Sequence, residues 1–168
     1  MSRCRSWVGI LTVTMEGENT KLKNEVSDFL GSQLILHLAV SLENEPWICA
    51  LEFIHDEELN FYWRSDATSH HSRVLDSNNL ASVAVTHVDQ ENLGTGIQAE
   101  GRAEKVVDEE KIRAVSEGID TKRGKVVDSE IAAQEAGRTY WKLRPTRLYY
   151  LNEARFGYDR EEIVAGNR

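Results

Sequence analysis

The residues best placed to do chemistry are Thr68, Ser69, His70 and His71, between an aromatic strand-like run, residues 59–64, and a short helix-like run. A helix N-terminus leaves its first N–H groups unpaired and carries partial positive charge, so it can hold a phosphate. Ser and Thr hydroxyls add donors, and His or Arg adds charge. Two readings stay open at this point: a phosphate-binding corner, or Thr68 or Ser69 simply capping a helix.

Other chemistry is thin. Of the five histidines, His37, His55, His70, His71 and His87, only His70 and His71 cluster, and adjacent residues seldom ligate one metal, so no metal site is expected. His37 reads as a core-edge histidine with a satisfied hydrogen bond. Ser69 and His70 are neighbours, but no Gly-x-Ser-x-Gly elbow supports a hydrolase. Gly94-Thr95-Gly96 is too short for a nucleotide fingerprint and reads as a loop. Cys49 lies in an apolar strand pattern and reads as an inert core residue, and Cys4 and Cys49 form no zinc spacing or disulfide framework. That usage fits a reducing cytoplasm. The net charge of −8, from 28 acidic and 20 basic residues, argues against general nucleic-acid binding and against an anionic membrane.

The elements that must position the corner follow from periodicity. Asn19-Thr20 predicts a helix cap, with Leu22, Val26, Phe29 and Leu30 on one face and Gly31 as the stop. Residues 34–42 are apolar almost throughout, so a strand with both faces covered is expected. Strands 47–54 and 59–64 complete a meander. After the corner come a short helix, a fourth strand over 80–88 and a fifth over about 96–107, in which Gly101 marks a bend or a close backbone approach. Residues 108–137 read as two helices joined at 118–125, the second starting near Asp128. A sixth strand spans 140–151, with Pro145 at an edge or bulge. The fold class is α+β and mainly β: a six-stranded antiparallel split β-barrel with flanking helices. Residues 19–160 form the domain and 161–168 a tail. Residues 1–18 are either an added arm or strand, or a segment upstream of a true start at Met15. Their Arg3, Arg5 and following apolar run only vaguely resemble a signal peptide.

Three segments carry a family resemblance. They are Ala50 to Asp56 leading into Phe61-Tyr62-Trp63-Arg64-Ser65, then Ser69-His70-His71 with its helix leading into Asn79-Leu80-Ala81-Ser82-Val83, and Gly96-Ile97-Gln98-Ala99-Glu100-Gly101-Arg102. In this order and spacing the chain, from about residue 25 to 158, resembles the FMN-binding split-barrel proteins, the pyridoxamine 5′-phosphate oxidase-like family. The resemblance implies a homodimer with FMN at the subunit interface and an oxidoreductase acting on a small substrate. It assigns the flavin phosphate to Arg64, Ser65, Ser69, His70 and His71. It sets the strand around Cys49, Ala50, Leu51 and Glu52 against the flavin ring, with Gln98 approaching from the partner and Trp63 and Trp141 bordering the pocket. Where relatives carry Arg or Lys, this chain has His70 and His71, whose charge falls as pH rises through about 6.5. FMN affinity is therefore expected to weaken from pH 6 to 8. The C-terminal substrate-phosphate motif of true pyridoxamine phosphate oxidases is not matched. A deazaflavin or haem in place of FMN, or a non-catalytic binding module, are the alternatives.

Overall fold

Alternating inward and outward side chains make the strands, and the return of the sixth strand closes them into a barrel. The computed structural model describes residues 8–91, 93–124 and 137–163, with side chains from Glu18 onward. The strands are β1 (Ile35–Leu42), β2 (Glu45–His55), β3 (Phe61–Asp66), β4 (Leu80–Val88), β5 (Gly94–Lys105), β6 (Arg138–Asn152) and β7 (Arg160–Ile163). They pair antiparallel in the order β3-β2-β1-β4-β5-β6-β7, and β6 also pairs with β3, so six strands close and β7 flanks the barrel. The helices are α1 (Val8–Ser32), α2 (His70–Ser77), α3 (Glu109–Lys122) and α4 (Glu153–Phe156).

The core fills from one face of each strand: Leu36, Leu38 and Val40 from β1, Phe61 and Trp63 from β3, Val83 and Val85 from β4, and Ile97 and Ala99 from β5. α1 lays Leu22, Val26, Phe29 and Leu30 onto this core, the face the sequence predicts. It begins at Val8, however, and runs straight through Asn19-Thr20. Lys21, Lys23 and Glu25 are good helix formers, so the chain there stays helical without using the cap. α1 is tied down by Glu25, which accepts from Tyr150 Oη at 3.0 Å and pairs with Arg155.

β5 and β6 slip register between Glu100 and Gly101, opposite Arg147 and Pro145, so that Thr146 has no partner in the ladder. A Cβ on Gly101 would lie 2.0 Å from the Arg144 carbonyl oxygen, so glycine is required there. Both the close approach at Gly101 and the bulge at Pro145 agree with the sequence reading.

Three expectations are corrected. Gly118 belongs to α3 and not to a connection: its missing Cβ would lie 2.9 Å from Ile54 Cδ1, so the glycine lets the helix sit close on β2. His37 is solvent-exposed on the outer side of β1, because its neighbours Leu36 and Leu38 take the inward positions. Gly94 to Gly96 start β5. α4 and β7 were not expected, and the proposed tail at 161 begins inside β7. The helix expected from Asp128 falls outside the described residues.

Candidate functional site

Ser69 is the N-cap of α2: its hydroxyl oxygen accepts from the Ser72 N–H at 3.4 Å. The capping reading is therefore correct, and the cap is also part of a larger group. Ser69 Oγ donates to Ser72 Oγ at 2.9 Å. His71 Nε2 lies 2.8 Å from Ser65 Oγ and 3.1 Å from Ser69 Oγ. Ser65 arrives on the inward side of β3, two residues after Trp63, so β3 and the first turn of α2 form one hydroxyl–imidazole cluster. Burial, then the neighbouring His70, push the His71 imidazole below its ordinary range. His71 at neutral pH is a neutral hydrogen-bonding group. His70 points outward and packs on Trp47, ring centroids 4.9 Å apart and tilted by 58°.

α2 is pinned across the barrel. Asn78 Nδ2 donates to the Ser41 carbonyl at 2.8 Å, Ala103 N–H donates to the Asn79 carbonyl at 2.8 Å, and Asp76 pairs with Lys105. These ties hold the cluster without help from a ligand.

Arg64 does not join it. The pleat turns its side chain to the α3 side, where Nη2 meets Asp120 Oδ1 at 2.6 Å and Nη1 donates to Ser116 Oγ at 2.8 Å. Both ends of this ion pair are buried. The other expected residues scatter. Trp63 and Trp141 face each other across the β3–β6 ladder but are closed into the core, at 0 % and 2 % exposure. On β2, Cys49 and Leu51 pack against the core and burial pushes the Cys49 thiol up. Ala50 is exposed on the outer face, and Glu52 pairs with Arg123 of the α3 end. Gln98 accepts from Arg160 Nη1 at 2.8 Å on that outer face.

The outer face of β1, β2, β4 and β5 is a second element of the site. Opposite residues His37 and Ala50, Ala39 and Ile48, His37 and Ala84, and Ala84 and Gln98 share it. A concavity of about 340 Å³ there is lined by His37, Ile48, Ala84, Gln98, Tyr149 and Arg160. Ile48 is 64 % exposed, Leu80 52 % and Ile35 40 %, a large apolar exposure for sheet residues. The apolar composition of β1 implied two covered faces, and among the described residues only one is covered.

A larger cavity, about 890 Å³, lies elsewhere, beside the β2–β3 turn and the β5–α3 connection. Its inner group is structural. The Asp56 carboxylate accepts from Tyr62 Oη at 2.7 Å and from Asn60 and Glu58 backbone N–H groups at 3.0 Å. These bonds outweigh burial and hold the carboxyl below its usual range. Sequence reasoning missed Ser72 and Trp47. Ser72 was visible as the third residue after a capping serine, whereas the Trp47 contact depends on strand register that no local pattern encodes.

The family model described as pyridoxamine 5′-phosphate oxidase matches residues 23–150. The chain belongs to the pyridoxamine 5′-phosphate oxidase-like family. A search of curated proteins finds no match. Among solved structures, the chain is similar to the conserved hypothetical protein Rv2991 of Mycobacterium tuberculosis, at 18% identity and TM-score 0.70, covering 86% of this chain and 91% of that one. It is similar to an FAD-binding protein of Mesorhizobium loti, at 16% identity and TM-score 0.60 over 74% and 87% of the two chains. It is also similar to HutZ, the haem storage protein of Vibrio cholerae, at 17% identity and TM-score 0.61 over 77% and 93%. At these identities the likenesses establish the pyridoxamine 5′-phosphate oxidase-like split-barrel fold. No helix among the described residues is long and apolar enough to cross a membrane.

Proposed function

We propose that the chain binds FMN as a homodimeric flavoprotein oxidoreductase acting on a small substrate. The observation that carries this reading is the corner itself. A pinned helix end, a Ser65–His71–Ser69–Ser72 cluster and an adjacent exposed aromatic side chain offer donors for a phosphate beside a flat surface for a ring. These residues fit the group. A bound flavin supplies the redox chemistry, and the protein anchors, orients and shields it. The outer sheet face supports the dimer. Its uncovered apolar side chains suit a second copy, which would bring its own Gln98 toward the ring and exclude water from it.

The test is an absorption spectrum of the purified protein, then an FMN titration followed by flavin fluorescence, on wild type and on a Ser69→Ala/His70→Ala/His71→Ala variant. Saturable binding that the variant loses supports the reading. A wild type that quenches no flavin refutes it. Light scattering checks the dimer in the same samples.

Haem is the second reading, favoured by one feature of the outer face. His37 is exposed there among Ala39, Ile48 and Ala84, where an apolar macrocycle could lie flat with an imidazole at hand. The likeness to a haem storage protein points the same way. A Soret band on adding haem, lost in His37→Ala, separates this reading from the flavin one.

A further inference from the structure

We propose that Arg73, and neither histidine, is the positioning cation that holds the terminal phosphate of the bound ligand. The inference rests on the flavin reading above. Arg73 is the fourth residue of α2, and helical side chains lean toward the N-terminus. Its Nη1 accordingly donates to the Thr68 carbonyl, which draws the guanidinium back over the cap turn. The residue is solvent-exposed, and that bond uses one of the fork's five N–H donors.

The basic side chains that the sequence pointed to are committed. Arg64 lies on the opposite face of β3 and is held by Asp120 and Ser116. His71 Nε2 is engaged by two serine hydroxyls inside the cluster. His70 packs on Trp47. The corner also carries a negative charge. The Asp66 carboxylate, with Arg138 in its field, accepts from both the N–H and the hydroxyl of Thr68. Those two Thr68 donors therefore face a carboxylate, and an arriving phosphate must overcome its repulsion. A fixed positive charge on the same turn meets that need, and a guanidinium forks onto phosphate oxygens more effectively than a point charge.

The consequence is a ligand preference. Arg73 discriminates a phosphate-ended flavin from one ending in a hydroxyl, and because arginine does not titrate, the discrimination persists across neutral pH. The experiment measures dissociation constants of FMN and of riboflavin for wild type, Arg73→Gln and Arg73→Lys at pH 6.5 and 8. Arg73→Gln is expected to weaken FMN binding roughly 10- to 100-fold, the range of a charge-assisted hydrogen bond. Riboflavin binding should stay within about threefold, the spread expected for a surface change of this kind. Arg73→Lys should recover part of the loss, and the wild-type preference for FMN should not fall between pH 6.5 and 8, since the phosphate, with a second pKa of about 6, only gains charge over that range. An unchanged FMN-to-riboflavin ratio in Arg73→Gln overturns the inference while leaving the flavin reading intact. A wild-type ratio that collapses at pH 8 also overturns it and returns the role to the histidines. Wild type that binds neither ligand overturns the flavin reading, and the inference with it.

Discussion

The two faces of β3 carry adjacent residues to opposite fates. Arg64 goes outward to α3 and is locked between Asp120 and Ser116. Ser65 goes inward to α2 and meets His71. One residue apart in the chain, they serve different layers: Tyr62 and Arg64 help glue α3 to the barrel, whereas Ser65 helps build the corner. A strand separates neighbours that a motif joins. A buried charge with buried partners is a structural device. A hydroxyl–imidazole cluster at a helix end, beside exposed Trp47, can still receive a ligand.

The strongest way to break this comparison is Asp120→Ala. If the α3 face is structural, taking the Asp120 carboxylate away from buried Arg64 should cost about 3–5 kcal/mol of unfolding free energy. Denaturant unfolding measures it, and surviving folded protein should bind flavin with unchanged affinity. A large loss of affinity without loss of stability would move Arg64 back to the site. On the other face, Ser65→Ala removes a partner from a buried imidazole and should cost about 1–2 kcal/mol. Here FMN affinity should fall with stability, because α2 loses its tie to β3. A stability effect equal to that of Asp120→Ala would erase the distinction between the faces.

The smallest expected effect is a pH dependence. The folded-state imidazoles of His71 and His55 are both below their ordinary range, each chiefly from burial. His55 also feels Lys122 and, in the opposite sense, Asp56, and its Nε2 is 2.9 Å from Ser27 Oγ. With folded pKa values depressed, the unfolded chain binds more protons below about pH 6.5, so stability is full above that value and declines as pH falls through it. Thermal melts from pH 7.5 to 5 should show a falling midpoint, and His71→Gln should flatten part of that slope. A midpoint that rises on acidification would mean the imidazoles are charged partners in the fold. The same burial bears on the expectation that FMN affinity drops from pH 6 to 8: with the His71 imidazole held below its ordinary range, its share of any such drop moves to lower pH, and on the reading proposed above Arg73 keeps its charge throughout.

Much of the barrel was legible because its signals are local. The apolar run that became β1, the helical face of Leu22, Val26, Phe29 and Leu30, and the glycine at 101 each mark their own element, although the run did not tell which face of β1 is covered. The corner was legible in part, since a serine before a helix announces a cap. The fate of Arg64 was not, because Asp120 lies far along the chain and only the register of β3 against α3 brings the two together. Gly118 misled for a related reason. Its residue type says break, and the neighbour that makes it useful, Ile54, belongs to another strand. Lys122 is a third case. It reads as a surface lysine, yet its Nζ donates to the Leu30 carbonyl at the end of α1 and to Phe53, and burial brings its pKa down to about 8.

The double pairing of β6 has a consequence for how the molecule is made. Residues 141–143 are hydrogen-bonded to β5 on one side and β3 on the other. A chain emerging from the ribosome therefore carries β3 and β5 as two bare edges until residues 138–152 arrive, and closure waits on contacts between distant parts of the sequence. The last long strand is the keystone of assembly. A chain ending before Arg138 is left as an open sheet with both edges free to recruit another copy.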